Sequence, residues 1–137
     1  MASIHQFEDI EAWQEARQLT KAVYALTAKG PFRKDWGLSD QIQRAAVSVM
    51  NNIVEGFDSG SNLEFGRFLG YARRSASEVQ CTLYVALDQD YITESEFKQL
   101  YERAEKARRM ATSFATYLRA HQRNNAPTRQ RANAGTL

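Results

Sequence analysis

The chain has 137 residues, of which 43% are hydrophobic and 25% are charged, and this is the composition of an ordinary globular protein of one domain. No apolar run approaches the roughly 20 residues that span a bilayer, and the first ten residues lack the basic and apolar regions of a secretory signal. The single cysteine, Cys81, excludes an internal disulfide and a thiolate metal cluster. These features predict a cytoplasmic protein with no membrane contact.

Charge is unevenly distributed along the chain. Residues 122–137 contain three arginines and no acid, so the other 121 residues carry a net charge of −1 within the total of +2. The same segment has no aromatic residue, and we expect a disordered basic tail at 122–137 behind a folded domain at 1–121. A nearly neutral domain is not typical of nucleic-acid binding, because that binding depends largely on neutralising phosphates.

Apolar residues recur at helical spacing in the first half of the domain. The first predicted helix begins at the N-cap candidate Asp9 and ends before Gly30 and Pro31. The second begins at the N-cap candidate Ser39 and continues to about Phe57. The two apolar stripes comprise Ala12, Ala16, Leu19, Val23 and Leu26, and then Ile42, Ala46, Val49, Ile53 and Gly56.

Two further helices are predicted after residue 60, and each begins at a capping box. The boxes are Ser61-x-x-Glu64 and Thr93-x-x-Glu96. The stripes that follow comprise Phe65, Leu69, Ala72, Ala76, Val79, Leu83 and Ala86, and then Phe97, Leu100, Ala104, Ala107, Ala111, Phe114 and Leu118. Four amphipathic helices without an alternating strand pattern predict an all-α, antiparallel up-down four-helix bundle.

A column of polar residues lies beside the apolar stripes of the second and third predicted helices. Its members are Arg44, Ser48, Asn52, Glu55, Arg67 and Glu78. An antiparallel turn between the helices would place Glu55 opposite Arg67 and Arg44 opposite Glu78. A guanidinium partner holds a carboxylate ionised and unreactive, so we interpret the column as structural, with Asn52 bridging the pairs. The alternative is a catalytic carboxylate at Glu55 or Glu78.

Several runs in the first three predicted helices resemble a bacterial family known as four-helix bundle proteins. They are FEDIEAWQEA at 7–16, GLSDQIQRAAVS at 37–48, NIVEGF at 52–57 and EFGRFL at 64–69, and the resemblance covers about residues 7–118. The first members of this family were described as products of intervening sequences within 23S ribosomal RNA genes. The resemblance implies a cytosolic, non-enzymatic protein that assembles as a ring of five subunits and has no assigned biochemical role. Distantly similar bundles are accessory proteins that bind a reverse transcriptase and nucleic acid.

Aromatic and methionine side chains also flank the predicted stripes. They are Trp13, Tyr24, Phe68, Tyr84, Tyr101, Met110 and Tyr117. Such residues are enriched at subunit interfaces, so we interpret them as candidate contacts of a homo-oligomer. The alternative is that they widen the core stripe of each helix. The first interpretation predicts a non-enzymatic scaffold, a pentamer by the resemblance, that binds protein partners.

A nucleic-acid-binding accessory module is the alternative function. Basic residues of the third and fourth predicted helices, together with the tail, would then contact RNA or DNA. The candidates are Arg67, Arg73, Arg74, Arg103, Lys106, Arg108, Arg109 and Arg119. Acidic residues share these helices and can neutralise part of the surface, and Tyr71 alone interleaves the arginines.

Catalytic and metal-binding patterns are weak in this sequence. Neither His5 nor His121 follows a glutamate at the spacing that di-iron bundles use. Gly66 and Gly70 lie inside a predicted helix, where we expect them to permit close helix packing and not to bind phosphate. Cys81 falls opposite the core stripe, as a free thiol at a surface or interface would. We expect no catalytic residue, no cofactor and no metal.

Overall fold

A computed structural model of the chain describes residues 3–121, and helices dominate this range. The helices are α1 (Glu11–Thr27), α2 (Gly30–Lys34), α3 (Trp36–Phe57), α4 (Asn62–Asp88) and α5 (Glu94–Ala120), and a 3-10 turn at Phe7–Asp9 precedes them. No strand occurs within the described range. The all-α prediction is therefore confirmed, whereas the predicted tail at 122–137 lies outside the described residues.

The four long helices pack in a closed cycle. Helix α4 packs against both α3 and α5, and α1 completes the cycle by packing against α3 and α5. Short connections join α3 to α4 and α4 to α5, so sequential helices run antiparallel as neighbours in an up-down bundle. None of the helices in residues 3–121 is long and apolar enough to cross a membrane.

The core is divided into two clusters along the bundle axis. The cluster at the α2 end contains Leu19, Phe32, Ile42 and Leu83, among other residues. The cluster at the opposite end is built around aromatic rings, with the Phe65 centroid 5.1 Å from that of Phe114. Fully buried alanines occur in every long helix, and small side chains at the contacts let helix axes approach closely.

The starts of α1 and α3 differ from the prediction. The Asp9 carboxylate accepts hydrogen bonds from the backbone amides of His5 and Gln6, so it caps the 3-10 turn and leaves Ile10 at the N-cap of α1. Helix α3 begins at Trp36, where the Asp35 side chain accepts a bond of 3.1 Å from the Leu38 amide. Ser39, the predicted cap, is instead buried inside the helix.

The two later helix starts follow the prediction more closely. Thr93 and Glu96 form a complete capping box, with reciprocal bonds of 3.1 and 2.9 Å. The hydroxyl of Ser61 likewise accepts a bond of 3.2 Å from the Glu64 amide. The Glu64 carboxylate, however, binds Arg67 at 2.8 Å, so only half of this box forms.

Glycines have opposite roles in α3 and α4. A Cβ atom at Gly56 would lie 2.7 Å from Cδ1 of Phe65 and 2.9 Å from Cβ of Phe68, so this glycine permits close contact between the two helices. A Cβ atom at Gly66 or Gly70 would meet nothing within 4 Å. The expectation that Gly66 and Gly70 allow close packing is therefore wrong, because both face open space.

Candidate functional site

The predicted ion pairs of the polar column do not form. Arg44 binds Asp40 on its own helix at 2.7 Å, and Arg67 binds Glu64 one turn away. The side chains of Glu55 and Glu78 are exposed and have no ion-pair partner within residues 3–121. Long charged side chains at a helix edge reach neighbours three or four residues away more easily than the facing helix.

A smaller polar contact joins α3 and α4 instead. The hydroxyl groups of Ser48 and Ser75 share a hydrogen bond of 2.9 Å across the two helices. The Asn52 side-chain amide donates to the carbonyl and the hydroxyl of Ser48, at 2.9 and 3.0 Å. Ser48 faces Ser75, whereas the predicted pairs would place Ser48 opposite position 74, so the two registers differ by one residue. The register is thus close to the prediction, but two serines make the contact between the helices, and Asn52 supports Ser48 from within α3.

A charged contact between α4 and α5, which we call the joint, was not predicted from the sequence. Arg108 donates two bonds of 2.9 Å to the carboxylate of Glu105, and the buried side chain of Gln80 on α4 donates a third of 3.0 Å. The bonds from Arg108 first, and then from Gln80, lower the pKa of Glu105 from its ordinary 4.5 to about 2. The carboxylate therefore stays ionised over the physiological pH range, and it connects the two helices.

The candidate nucleic-acid surface is partly neutralised by internal ion pairs. Glu15 of α1 lies 4.0 Å from Arg103 and 3.3 Å from Lys106, and these pairs join α1 to α5. Arg67 and Arg108 are also paired, as described above. The candidates without an ion pair in the described part of the chain are Arg73, Arg74, Arg109 and Arg119. The Arg74 guanidinium lies 5.3 Å from the centroid of the Tyr71 ring.

The seven candidate interface residues divide into two groups. Tyr24, Tyr84 and Tyr117 are exposed. The remaining four side chains are half-buried, and they are Trp13, Phe68, Tyr101 and Met110. Three of these pack against the bundle's own core, so the interpretation of a widened core stripe applies to them, and the interface interpretation stays a prediction for the exposed three.

Three aromatic rings meet where α4 and α5 face solvent. The centroid of Tyr84 lies 4.8 Å from that of Phe97 and 6.0 Å from that of Tyr101, and the latter two rings are 5.4 Å apart. We call these three residues the aromatic cluster. Exposed Val85 and the exposed free thiol of Cys81 lie beside Tyr84 on α4, and the prediction of a free thiol at a surface or interface is confirmed.

One exposed aromatic residue was missed altogether. Trp36, the first residue of α3, is 82% exposed and is the most exposed large apolar side chain in the described range. The available signal was its position four residues before Asp40 and eight before Arg44, which places it on the polar outer face once α3 is extended backwards. Leu63 and Val85 are also exposed and were also missed, because they lie on the outer faces of their helices and the prediction used the apolar stripes alone.

A groove of about 460 Å³ lies between the start of α1 and the outer side of α5. Its floor is apolar and includes Ile10 and Phe114. Its charged lining consists of Asp9, Glu11, Lys106 and Arg109. Both signs of charge are represented equally, so the groove selects neither an anion nor a cation. Within residues 3–121, no three histidine, cysteine or acidic side chains are grouped as metal ligands would be.

Comparison with known proteins gives a family and a fold. The family described as 23S rRNA-intervening sequence protein has a sequence model that matches residues 8–113. A crystal structure from Bacteroides thetaiotaomicron VPI-5482, described as a protein of unknown function from the S23 ribosomal protein family, is similar with a TM-score of 0.69. The alignment covers 76% of this chain and 97% of that one at 20% identity, so it supports the fold alone. No curated protein matches the sequence.

Proposed function

Because the chain belongs to the family of 23S rRNA-intervening sequence proteins, we propose that it is a non-enzymatic cytoplasmic scaffold that assembles with copies of itself and binds protein partners. The number of five subunits comes from the resemblance described above. The observation that carries the proposal is the aromatic cluster on α4 and α5.

The aromatic cluster has the composition of an interface centre. Tyrosine and phenylalanine are enriched there because they bury a large area at a low cost in side-chain entropy. Tyr84 leaves 52% of its surface in water although its ring already contacts two others. Val85, 43% exposed, and Cys81 extend the apolar surface along α4. A second copy packed here would remove this surface from water.

Multi-angle light scattering at micromolar concentration tests the assembly directly. The proposal predicts a mass of several times 15.6 kDa, and five times that mass for the pentamer. Tyr84→Glu places an unpaired charge in the proposed contact and should shift the mass toward that of the monomer, with little change in helix content. A wild-type mass near 15.6 kDa would refute the assembly.

Thr112→Glu is the matched control for this substitution. Thr112 is exposed on α5 outside the aromatic cluster, and its hydroxyl bonds only the Arg108 carbonyl of its own helix. This variant should keep the wild-type mass. If both variants dissociate equally, the effect of Tyr84→Glu is general charge repulsion and the aromatic cluster is not the contact.

Nucleic-acid binding is a second candidate, supported by the cations that remain without ion pairs. Arg73 and Arg74 are neighbours on α4, and the latter lies over the Tyr71 ring. The expected signature is a modest affinity for structured RNA and duplex DNA that falls steeply with salt. Reversing Arg73 and Arg74 to glutamate should weaken it, and truncating residues 122–137 should weaken it as well. Absence of binding at low salt would exclude this candidate.

A further inference from the structure

A tryptophan that belongs to neither core cluster lies at the corner between α2 and α3. Trp36 is 82% exposed, and within residues 3–121 its ring stacks on no other aromatic side chain. Exposing an indole to water forgoes the burial that would stabilise the fold. The ring therefore adds no buried area to the fold and is available to a ligand.

Contacts with buried and capped residues hold this corner in place. Phe32 of α2 is fully buried and stacks on Tyr91 with centroids 5.5 Å apart. The Ser39 hydroxyl donates a bond of 2.7 Å to the Phe32 carbonyl, which ties α3 to α2. Asp35, between the two helices, accepts bonds from the Leu38 amide and from the Tyr91 hydroxyl at 2.9 Å. The backbone that carries Trp36 is thus fixed by four contacts to buried or capped positions.

Two free cations accompany the exposed ring. Arg33 and Lys34 form the last turn of α2, are exposed, and have no ion-pair partner in the described range. Trp36 lies three positions after Arg33 in the chain, so their Cα atoms lie within about 11 Å of each other. Of the neighbouring acids, Asp40 is paired with Arg44 at 2.7 Å, whereas the carboxylate of Asp35 accepts bonds from the neutral donors named above and keeps its charge beside Lys34.

We propose that Arg33, Lys34 and Trp36, which we call the α2–α3 corner, bind single-stranded nucleic acid. The indole stacks on an unpaired base, and the two cations contact the adjacent phosphates. Base stacking on an aromatic side chain contributes about 1–3 kcal/mol and tolerates any base, and free cations supply the electrostatic part. The proposal goes beyond the scaffold function and holds equally for a monomer.

The surroundings of Trp36 favour nucleic acid over a protein partner. A protein interface has an apolar centre of several packed side chains, whereas the residues that directly flank Trp36 in sequence are Asp35 and Gly37. The other exposed apolar side chains belong to different helices, such as Leu63 and Tyr84 on α4. A single exposed ring close in sequence to two unpaired cations offers one stacking position and two phosphate contacts to a single strand.

Fluorescence anisotropy with a short labelled oligothymidylate tests the proposal at low salt. Trp36→Ala should weaken binding at least about fivefold, and Trp36→Phe should restore part of it, since stacking needs a ring. The double variant Arg33→Gln with Lys34→Gln should reduce the slope of log K against log salt by about 0.7 for each cation. Its matched control, Lys21→Gln with Lys98→Gln, removes two exposed cations elsewhere and should leave the slope nearly unchanged.

A spectroscopic readout separates stacking from a structural effect. In a Trp13→Phe background Trp36 is the remaining tryptophan, and its emission should be quenched as the oligonucleotide binds. Lack of oligothymidylate binding, or equal binding by Trp36→Ala, would overturn the proposal. A change of mass in light scattering on Trp36→Ala would also overturn it and identify the corner as a contact between copies. A monomeric wild type that still shows the quenching would refute the scaffold but keep this site.

Discussion

Gly56 illustrates how one residue sets the distance between two helices. Glycine in a helix costs up to about 1 kcal/mol relative to alanine, and in the last turn of α3, where Gly56 lies, a close contact offsets that cost. That contact is the close approach of Phe65 and Phe68, which leaves no room for a methyl group. The space beside Gly66 and Gly70 is open, so the same residue type serves no packing purpose there.

We predict that Gly56→Ala destabilises the protein by about 1–3 kcal/mol, because the new methyl group forces Phe65 and Phe68 to move. The control is Gly70→Ala, which meets no neighbour and should stabilise the protein by about 0.5–1 kcal/mol through helix propensity. Urea denaturation measures both. If Gly56→Ala left the free energy of unfolding unchanged, α3 and α4 could move apart with little loss of stability.

The exposed carboxylate of Glu55 leads to a second prediction at this scale. Since Glu55 has no ion-pair partner in residues 3–121, Glu55→Ala should change the free energy of unfolding by less than about 0.5 kcal/mol. Ser75→Ala, in contrast, removes the partner of the half-buried Ser48 hydroxyl and should cost about 1 kcal/mol. Thermal denaturation of the two variants would contradict this assignment if Glu55→Ala were the more damaging.

At the scale of elements, helix starts determine how α2 and α3 meet. Asp35 caps α3 through the Leu38 amide and also accepts the Tyr91 hydroxyl, so it connects three segments. We predict that Asp35→Ala costs about 1–2 kcal/mol, more than the roughly 1 kcal/mol of an ordinary cap. Thr93→Ala, which removes the cap of α5, is the reference variant. Equal losses in differential scanning calorimetry would indicate that the Tyr91 bond contributes nothing.

The joint between α4 and α5 should make the free energy of unfolding depend on pH in the acid range. The pKa of Glu105 is about 2 in the folded protein against an ordinary 4.5, so its contribution is complete above pH 4.5 and lost as the pH falls toward 2. The melting temperature should therefore fall over this range, and it should fall less in Glu105→Gln. The control Glu102→Gln removes an exposed carboxylate of the same helix outside the joint. An unchanged acid profile in Glu105→Gln would contradict the assignment.

At the scale of the whole molecule, the long amphipathic helices could be predicted and the shortest one could not. Every residue of the four predicted stripes is buried except Phe97, which is half-buried. Apolar residues repeat at helical spacing where one face of a helix packs on the core, so the spacing predicts which residues are buried. Helix α2 has five residues, too few for a stripe, so the buried Phe32 and the early start of α3 were missed. Spacing also cannot determine which partner a long charged side chain chooses, as Arg44 and Arg67 demonstrate.

The closed cycle of helices also bears on the order of folding. Contacts of α4 with α3 and α5 are more extensive than those of α1, and they need only short connections, whereas α1 meets α5 across most of the chain. Closing so long a loop carries a higher entropic cost, so α3, α4 and α5 should associate before α1 docks. The last element to dock is the first to open, and backbone amides of α1 should exchange with deuterium faster than those of α4. Equal protection of α1 and α4 would mean that the four helices unfold as one unit.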